Sequence, residues 1–347
     1  MSHTLVVRPD NAGDVLLAGP AIRAVAAGSD RVTVLAGPNG AAAARMLPDV
    51  DDVLQWRFPW IDAQPDPVTR AGVEELVELL GARQVDRALV LTSFHQSPLP
   101  TALVLRMAGV PWIGAISEDY PGALLDLRHR GVDEMLPEAE RGLSLAQAAG
   151  FSLPADDDGG LAVRRPLPEV ADLLPDEPFV VLHPGTSVPA RAWPAHRFAE
   201  AARCLRARGH QVVVTGGPSE GALTAAVVGD STALNLGGRT SFAELAAVLE
   251  RARVVVVGNT GPAHLAAAVR TPVVSLFAPT VPAARWAPYR VSTVLLGDQS
   301  AVCRDTRITQ CPFAGHPCLS SVPAEDVVHA VEQLCGRPSP VRVETPV

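Results

Sequence analysis

Two stretches of the chain are apolar without interruption and then stop at small, turn-forming residues: Phe179 to Gly185 (FVVLHPG) and Val254 to His264 (VVVVGNTGPAH). Unbroken runs of this kind predict parallel strands buried on both faces, where alternation would predict half-exposed ones. Further strands are expected at 4–9, 32–36, 86–92 and 112–116, then at 179–183, 211–215, 254–258 and 272–277. Helical spacing appears between them, at 14–27, 40–47, 70–82, 101–108 and near 141–150. It returns at 195–208, 219–228, 241–252, 261–269 and 324–335. Pro20 falls inside the first of these and predicts a kink or break there. Strand and helix alternate throughout, which is the pattern of an α/β protein with parallel sheets.

Between Phe151 and Pro178 the alternation lapses, and Pro154, Pro166, Pro168, Pro175 and Pro178 punctuate an acidic, glycine-containing stretch. It reads as a linker or hinge. The expected organisation is therefore two Rossmann-like domains, 1–165 and 166–347, with parallel sheets facing across a cleft. The last helix, 324–335, is a candidate to pack back toward the first domain, and 298–323 is expected to be an irregular loop.

Composition narrows the chemistry. The 347 residues are 48% hydrophobic and 19% charged, as in a compact enzyme and unlike a disordered chain. All 29 basic residues are Arg, so Schiff-base chemistry, pyridoxal phosphate and a Walker A lysine are excluded together. A net charge of −8 argues against nucleic acid as the main partner. Five cysteines do not make a disulfide scaffold. The opening MSHTLVVRPDNAGD lacks a signal-peptide pattern. No apolar run reaches the roughly 18 residues of a spanning helix. We expect a cytoplasmic monomer with no transmembrane segment, which leaves room for peripheral membrane contact.

Candidate chemistry gathers where the two apolar runs end. In the second run Asn259 and Thr260 stand at the handover to a helix, with Thr260 as N-cap and Gly261 and Pro262 in the first turn. Free N–H groups there suit a phosphate. In HPGTSVPARAWP, Gly185 admits close backbone approach, and Thr186 and Ser187 offer hydroxyls. Arg191 offers a charge to a departing diphosphate. An ordinary βα loop would carry the same residues. Asp14, after Gly13 at the opening of the first helix, is a candidate general base, although a plain helix-capping role is the reading that sequence logic by itself favours. Asp10 is a weaker rival. His95 and Gln96 follow the 86–92 strand as candidates for acceptor contact or a second base, or as loop packing. Arg285 and Trp286 are candidates to flank the donor.

Three segments in order, GDVLLAGPAIRA (13–24), LHPGTSVPARAWPAHRFAE (182–200) and VVVVGNTGPAHLAAAVRTPVVSLFAPT (254–280), resemble glycosyltransferase family 9, the ADP-heptose heptosyltransferases. The resemblance implies a GT-B fold and an inverting, metal-independent transfer from a nucleotide sugar, ADP-heptose or a close relative, to a glycan or small-molecule acceptor, with no cofactor. It implies that Asp14 is the base and Arg191 the phosphate contact, where a family Lys is common. Thr186, Ser187, Thr260, Gly261 and His264 are implied at the donor. Asn259 stands where the family usually has an acidic residue. Glu220 matches, more loosely, a residue reaching the nucleoside end.

Rival readings remain. Gly217 to Gly221 is a formal G-x-S-x-G, so an α/β-hydrolase would use Ser219 with Asp298 or Asp305 and His316 or His329. Another GT-B enzyme, such as a hexosyltransferase or a sugar-nucleotide epimerase, fits the fold, as does a non-catalytic nucleotide-sugar binder. Dinucleotide oxidoreduction is disfavoured by the absence of G-x-G-x-x-G. Cys303, Cys311, His316 and Cys318 invite a zinc reading, but no CxxC pair supports it, and no metal is expected.

Overall fold

The computed structural model describes residues 2–62 and 64–336. The chain divides into two compact units that meet between Arg164 and Arg165. The first unit runs β1 (His3–Arg8), α1 (Ala12–Leu17), α2 (Gly19–Ala27), β2 (Arg31–Ala36), α3 (Ala41–Met46), β3 (Asp52–Gln55), α4 (Arg70–Gly81), β4 (Arg87–Val90), α5 (Leu99–Met107), β5 (Trp112–Ile116), β6 (Leu127–His129) and α6 (Glu138–Ala148). The second runs β7 (Phe179–His183), α7 (Ala195–Ala207), β8 (Gln211–Val214), α8 (Gly221–Val228), β9 (Leu234–Asn235), α9 (Phe242–Arg251), β10 (Val254–Gly258), α10 (Gly261–Ala268), β11 (Val273–Leu276), α11 (Ala283–Trp286), β12 (Thr293–Leu296), α12 (Pro317–Ser320) and α13 (Ala324–Cys335).

Each unit is built on one six-stranded sheet, ordered β3-β2-β1-β4-β5-β6 in the first and β12-β11-β10-β7-β8-β9 in the second. The pairings within both are parallel. The chain winds outward from β1 through β2 to β3, then returns to lay β4 on the other side of β1. The second unit repeats this with β7 through β9 and then β10. Each sheet therefore reverses its strand order at one place, β1/β4 and β7/β10, and loops diverging there leave a crevice at the carboxyl edge. The register brings the paired strands out together: Val7 lies opposite Val90, and Val257 opposite His183.

The central strands are the ones with unbroken apolar runs, and every residue of β1, β7 and β10 is buried. Pro20 takes one of the first two positions of α2, where its missing N–H costs nothing, and the expected single helix becomes two. The helix over 324–335 places Val327, Val328, Val331 and Leu334 in the core under the second sheet. These residues of its apolar face are thus buried within the second unit.

The stretch 151–178 does not run free. Leu161 and Val163 are buried, and Arg23 makes paired hydrogen bonds of 2.6 and 2.8 Å to Asp157. Arg164 donates to the carbonyls of Met46 and Val50. Beyond the joint, Arg165 pairs with Glu250, and Arg251 with Glu169. These contacts thus lie on either side of the division between Arg164 and Arg165.

Candidate active site

At the β1/β4 reversal of the first unit, the segment after β1 carries Asp10 and Asp14, and the segment after β4 carries Ser93 to Gln96. Asp14 stands in the first turn of α1, two residues inside the start, and Asn11 rather than Asp14 is the N-cap. The expected helix start at Asp14 was late, and a capping role for this carboxylate falls away with it. Its Oδ1 accepts from Nη2 of Arg8 at 3.1 Å. Arg8 itself is buried and also faces Asp10 at 3.1 Å and Glu138 at 3.8 Å. The Asp10 carboxyl is pushed up to about 6, chiefly by burial, with Arg8 pulling the other way and the charge of Asp14 adding to the rise. Asp10 is thus poorly placed to be the accessible base, because it is buried and its oxygens are engaged by Arg8 and Gln96.

Gln96 donates from Nε2 to Asp10 at 2.6 Å and accepts the Ser93 N–H at 2.9 Å. Its amide works inside this network, which leaves little of it for the acceptor contact read from the sequence. His95 is exposed, its ring 5.7 Å from that of Phe94 in an edge-on arrangement.

The second unit assembles its residues at the β7/β10 reversal. Phe179–His183 delivers the chain into Pro184, Gly185, Thr186 and Ser187. His183 Nδ1 lies 2.9 Å from the Thr215 hydroxyl, and burial pushes the imidazole down to about 4 against the opposing pull of Glu220. A Cβ on Gly185 would fall on the carboxylate of Glu220, so a larger residue there would force Glu220 to move. Glu220 in turn accepts the Gly217 N–H at 2.6 Å. The Thr186 hydroxyl accepts from the Val188 N–H at 3.3 Å, while Ser187 is exposed.

Arg191 ends a short 3-10 turn, Pro189–Arg191, and its Nη1 donates to the carbonyl of Asn259 at 3.5 Å. That bond joins the loop after β7 to the loop after β10. Thr260 is the N-cap of α10 and makes no side-chain cap bond, so its hydroxyl is not tied to the helix. Gly261 opens the helix and His264 is buried one turn in. Asn259 is not aimed at open space: Nδ2 donates to the Ala278 carbonyl at 3.5 Å and Oδ1 accepts the Ala278 N–H at 3.4 Å. An amide satisfies both halves of that backbone group; a carboxylate would satisfy one and face the carbonyl with the other.

The loop over 298–323 braces the Arg191 turn. Ala190 N donates to the Thr309 carbonyl at 3.0 Å, and the Ala190 carbonyl meets Nε2 of His316 at 3.1 Å. Trp193, buried against Phe198, donates from Nε1 to Val322. The buried Cys318 thiol is pushed up to about 11 by burial and by the neighbouring Cys303 and Cys311, the first of which hydrogen-bonds it. Among the described residues no three His, Cys, Asp or Glu side chains are placed to hold a metal ion. Arg285 and Trp286 are buried in α11, the guanidinium 5.7 Å from the indole ring.

Ser219 lies exposed on the 3-10 turn Pro218–Glu220 and is not among the residues with positive φ. A nucleophile elbow requires a strained turn and a histidine partner. Neither is present at Ser219 among the described residues, so the hydrolase reading fails.

The family model for glycosyltransferase family 9 (heptosyltransferase) matches residues 73–315. The chain belongs to that family. It is 32% identical to lipopolysaccharide heptosyltransferase 3 of Escherichia coli (strain K12) over 173 residues, 47% of this chain and 48% of that one. The chain thus spans about half the length of that relative. Among solved structures it resembles a glycosyl transferase family 9 protein from Veillonella parvula DSM 2008, with TM-score 0.78, 19% identity and coverage of 96% and 97% of the two chains. It also resembles the E. coli heptosyltransferase WaaC solved with ADP-2-deoxy-2-fluoro heptose, with TM-score 0.68, 19% identity and coverage of 95% and 99%. These structures share the GT-B fold with this member of family 9.

Sequence reasoning missed Arg8, Ser93, Glu138 and the brace from His316. Arg8 had a signal: a charged residue closing an otherwise apolar buried strand needs partners. The contacts of Glu138 with Arg8 and of His316 with Ala190 had none, because those partners lie far along the chain.

Proposed function

We propose that this protein is an inverting glycosyltransferase that moves a heptose from ADP-heptose to a hydroxyl of a glycan or small-molecule acceptor. The observation that carries the reading is the convergence of Thr186, Ser187, Arg191, Thr260 and the start of α10 at the β7/β10 reversal. Guanidinium, hydroxyls and helix N–H groups together suit a diphosphate. The analogue in the E. coli enzyme, ADP-2-deoxy-2-fluoro heptose, supports ADP-heptose as the donor class.

In this mechanism the second unit holds the donor diphosphate. Arg191 and the N–H groups after Thr260 stabilise the negative charge that grows on the departing ADP. Glu220 and His264 complete the donor contacts. The carboxylate of Asp14 takes the proton of the acceptor hydroxyl as that oxygen attacks the anomeric carbon. One displacement with a single transfer inverts the configuration. The counter-charge comes from Arg191 and backbone dipoles, so the reaction proceeds without a metal, and EDTA leaves the rate unchanged. His95 remains an acceptor-side candidate by virtue of its exposure.

The test is a binding screen of ADP-, GDP-, UDP- and dTDP-sugars, followed by mass spectrometry of products with candidate acceptors. Preference for ADP-heptose with a heptosylated product is expected. Tight donor binding with no product from any acceptor would instead favour a nucleotide-sugar binder.

A further inference from the structure

Arg8 closes β1 and is buried to 4% exposure, in a place where an arginine has no business without partners. Three carboxylates surround it: Asp10 at 3.1 Å, Asp14 at 3.1 Å and Glu138 at 3.8 Å. Arg141 adds a second cation 3.8 Å from Glu138. The three carboxylates differ in access. The side chain of Asp14 is 22% exposed, that of Asp10 8% and that of Glu138 1%. Only Asp14 presents appreciable surface to a substrate.

A ring of three hydrogen bonds, closed by the ion pair between Arg8 and Asp10, fixes the guanidinium. Its Nη2 donates to the Ser93 hydroxyl at 3.2 Å, and its Nε faces Asp10. Gln96 then links Asp10 back to the Ser93 backbone, through bonds of 2.6 and 2.9 Å. The ring draws on the segments after β1 and β4, so the strand reversal itself sets its geometry. The same Nη2 that meets Ser93 meets Oδ1 of Asp14.

We infer that Arg8 is a positioning residue: held by Asp10, Gln96 and Ser93, it fixes Oδ1 of Asp14 and leaves Oδ2 as the atom that takes the acceptor's proton. This rests on the reading of Asp14 as base. Arg8 touches no reacting atom. It limits the rotation of the carboxylate, and a misplacement of about 1 Å in such a group costs about a hundredfold in rate.

The test uses the full chain with Arg8→Gln, Arg8→Lys, Ser93→Ala and Asp14→Asn. ADP release from ADP-heptose, with water as acceptor, gives kcat and KM; ADP titration gives donor-side affinity; crystal structures give the Asp14 carboxylate position. Arg8→Gln is expected to lower kcat about a hundredfold with ADP affinity unchanged, and to turn the Asp14 carboxylate from its place. Arg8→Lys should recover a good part of the loss. Should Arg8→Gln not fold, Ser93→Ala is expected to lower kcat severalfold and loosen Asp14 in the same way. An undisturbed Asp14 in the crystal of a folded variant overturns the inference, whatever the activity. Full kcat in Arg8→Gln and Ser93→Ala, beside a dead Asp14→Asn, overturns it too. Full kcat in Asp14→Asn sinks the base reading instead, and the two failures are told apart.

Discussion

His316 Nε2 lies 3.1 Å from the carbonyl oxygen of Ala190, the residue immediately before Arg191. A carbonyl only accepts, so this nitrogen carries the hydrogen, and the brace survives only while it does. On the other side of the same residue, the Ala190 N–H donates to Thr309. The cysteine-bearing loop therefore grips the Arg191 turn by both backbone groups of one residue. His316→Ala removes one grip without touching Arg191. A net hydrogen bond of about 1 kcal/mol corresponds to a fall of about fivefold to tenfold in turnover. Steady-state kinetics check this, with donor affinity as the companion measurement. A rate equal to that of the unsubstituted protein would show that the turn holds without the brace.

The two residues assigned to the reaction make separate demands. Asp14→Asn keeps the shape and the bond to Arg8 while removing the acceptor of the proton. Its turnover is expected to fall by about a hundredfold to ten-thousandfold, with ADP binding unchanged. Arg191→Ala withdraws charge from the departing diphosphate and is expected to cost about a hundredfold to a thousandfold, with weaker ADP binding. Circular dichroism should show both folds intact. Activity surviving in either variant removes that residue from the mechanism.

Much of this was legible in the chain. The strands that fill the middle of each sheet are those whose two faces are buried, and their apolar runs announced them. The strands that escaped notice, β3, β6, β9 and β12, are the four sheet edges. They are short and only partly covered, so no continuous apolar run marks them. The candidate donor-side residues drew attention because the sequence breaks sharply there from apolar to small and polar. Asn259 stood out as well, as an exception to a pattern. Its reason, a two-way bond to Ala278, depends on where β11 ends, and no local rule reveals that. The bond from Gln96 to Asp10 had no local sign either, because the two residues lie 86 positions apart.

That reading of Asn259 leads to a stability difference. Asn259→Asp would leave the Ala278 N–H bonded and set a carboxylate oxygen against the Ala278 carbonyl in a buried place. A loss of about 1–3 kcal/mol is expected at neutral pH, shrinking as the carboxyl is protonated in acid. Chemical denaturation at two pH values measures it. Unchanged stability at neutral pH would mean that the amide bonds contribute nothing.

Two buried groups oppose each other across the same acid range. The Asp10 carboxyl stands at about 6 against an ordinary 3.8, so between those values the native protein keeps a proton that the unfolded chain has lost. Its contribution to stability therefore falls as pH rises from about 4 to 6. His183 stands at about 4 against an ordinary 6.5, so there the unfolded chain holds the extra proton. Its contribution is whole above pH 6.5 and is lost as pH falls toward 4. Asp10→Asn should steepen the acid loss of Tm, and His183→Gln should flatten it. Parallel Tm–pH curves for the two variants would refute both assignments.

Gly185 and Glu220 provide the last expectation, because the glycine's missing Cβ is the space that the carboxylate occupies. In Gly185→Ala the methyl group and the carboxylate cannot coexist, so Glu220 must swing away and give up the Gly217 N–H. If Glu220 serves the donor from that place, Gly185→Ala and Glu220→Ala should each weaken ADP or ADP-heptose binding through one shared cause. A double-mutant cycle separates this from a plain packing defect, since independent sites add to within about 0.5 kcal/mol. The double variant is expected to bind about as weakly as Glu220→Ala by itself. Full additivity, measured by calorimetry, would mean that the methyl group harms the site by some route other than displacing Glu220.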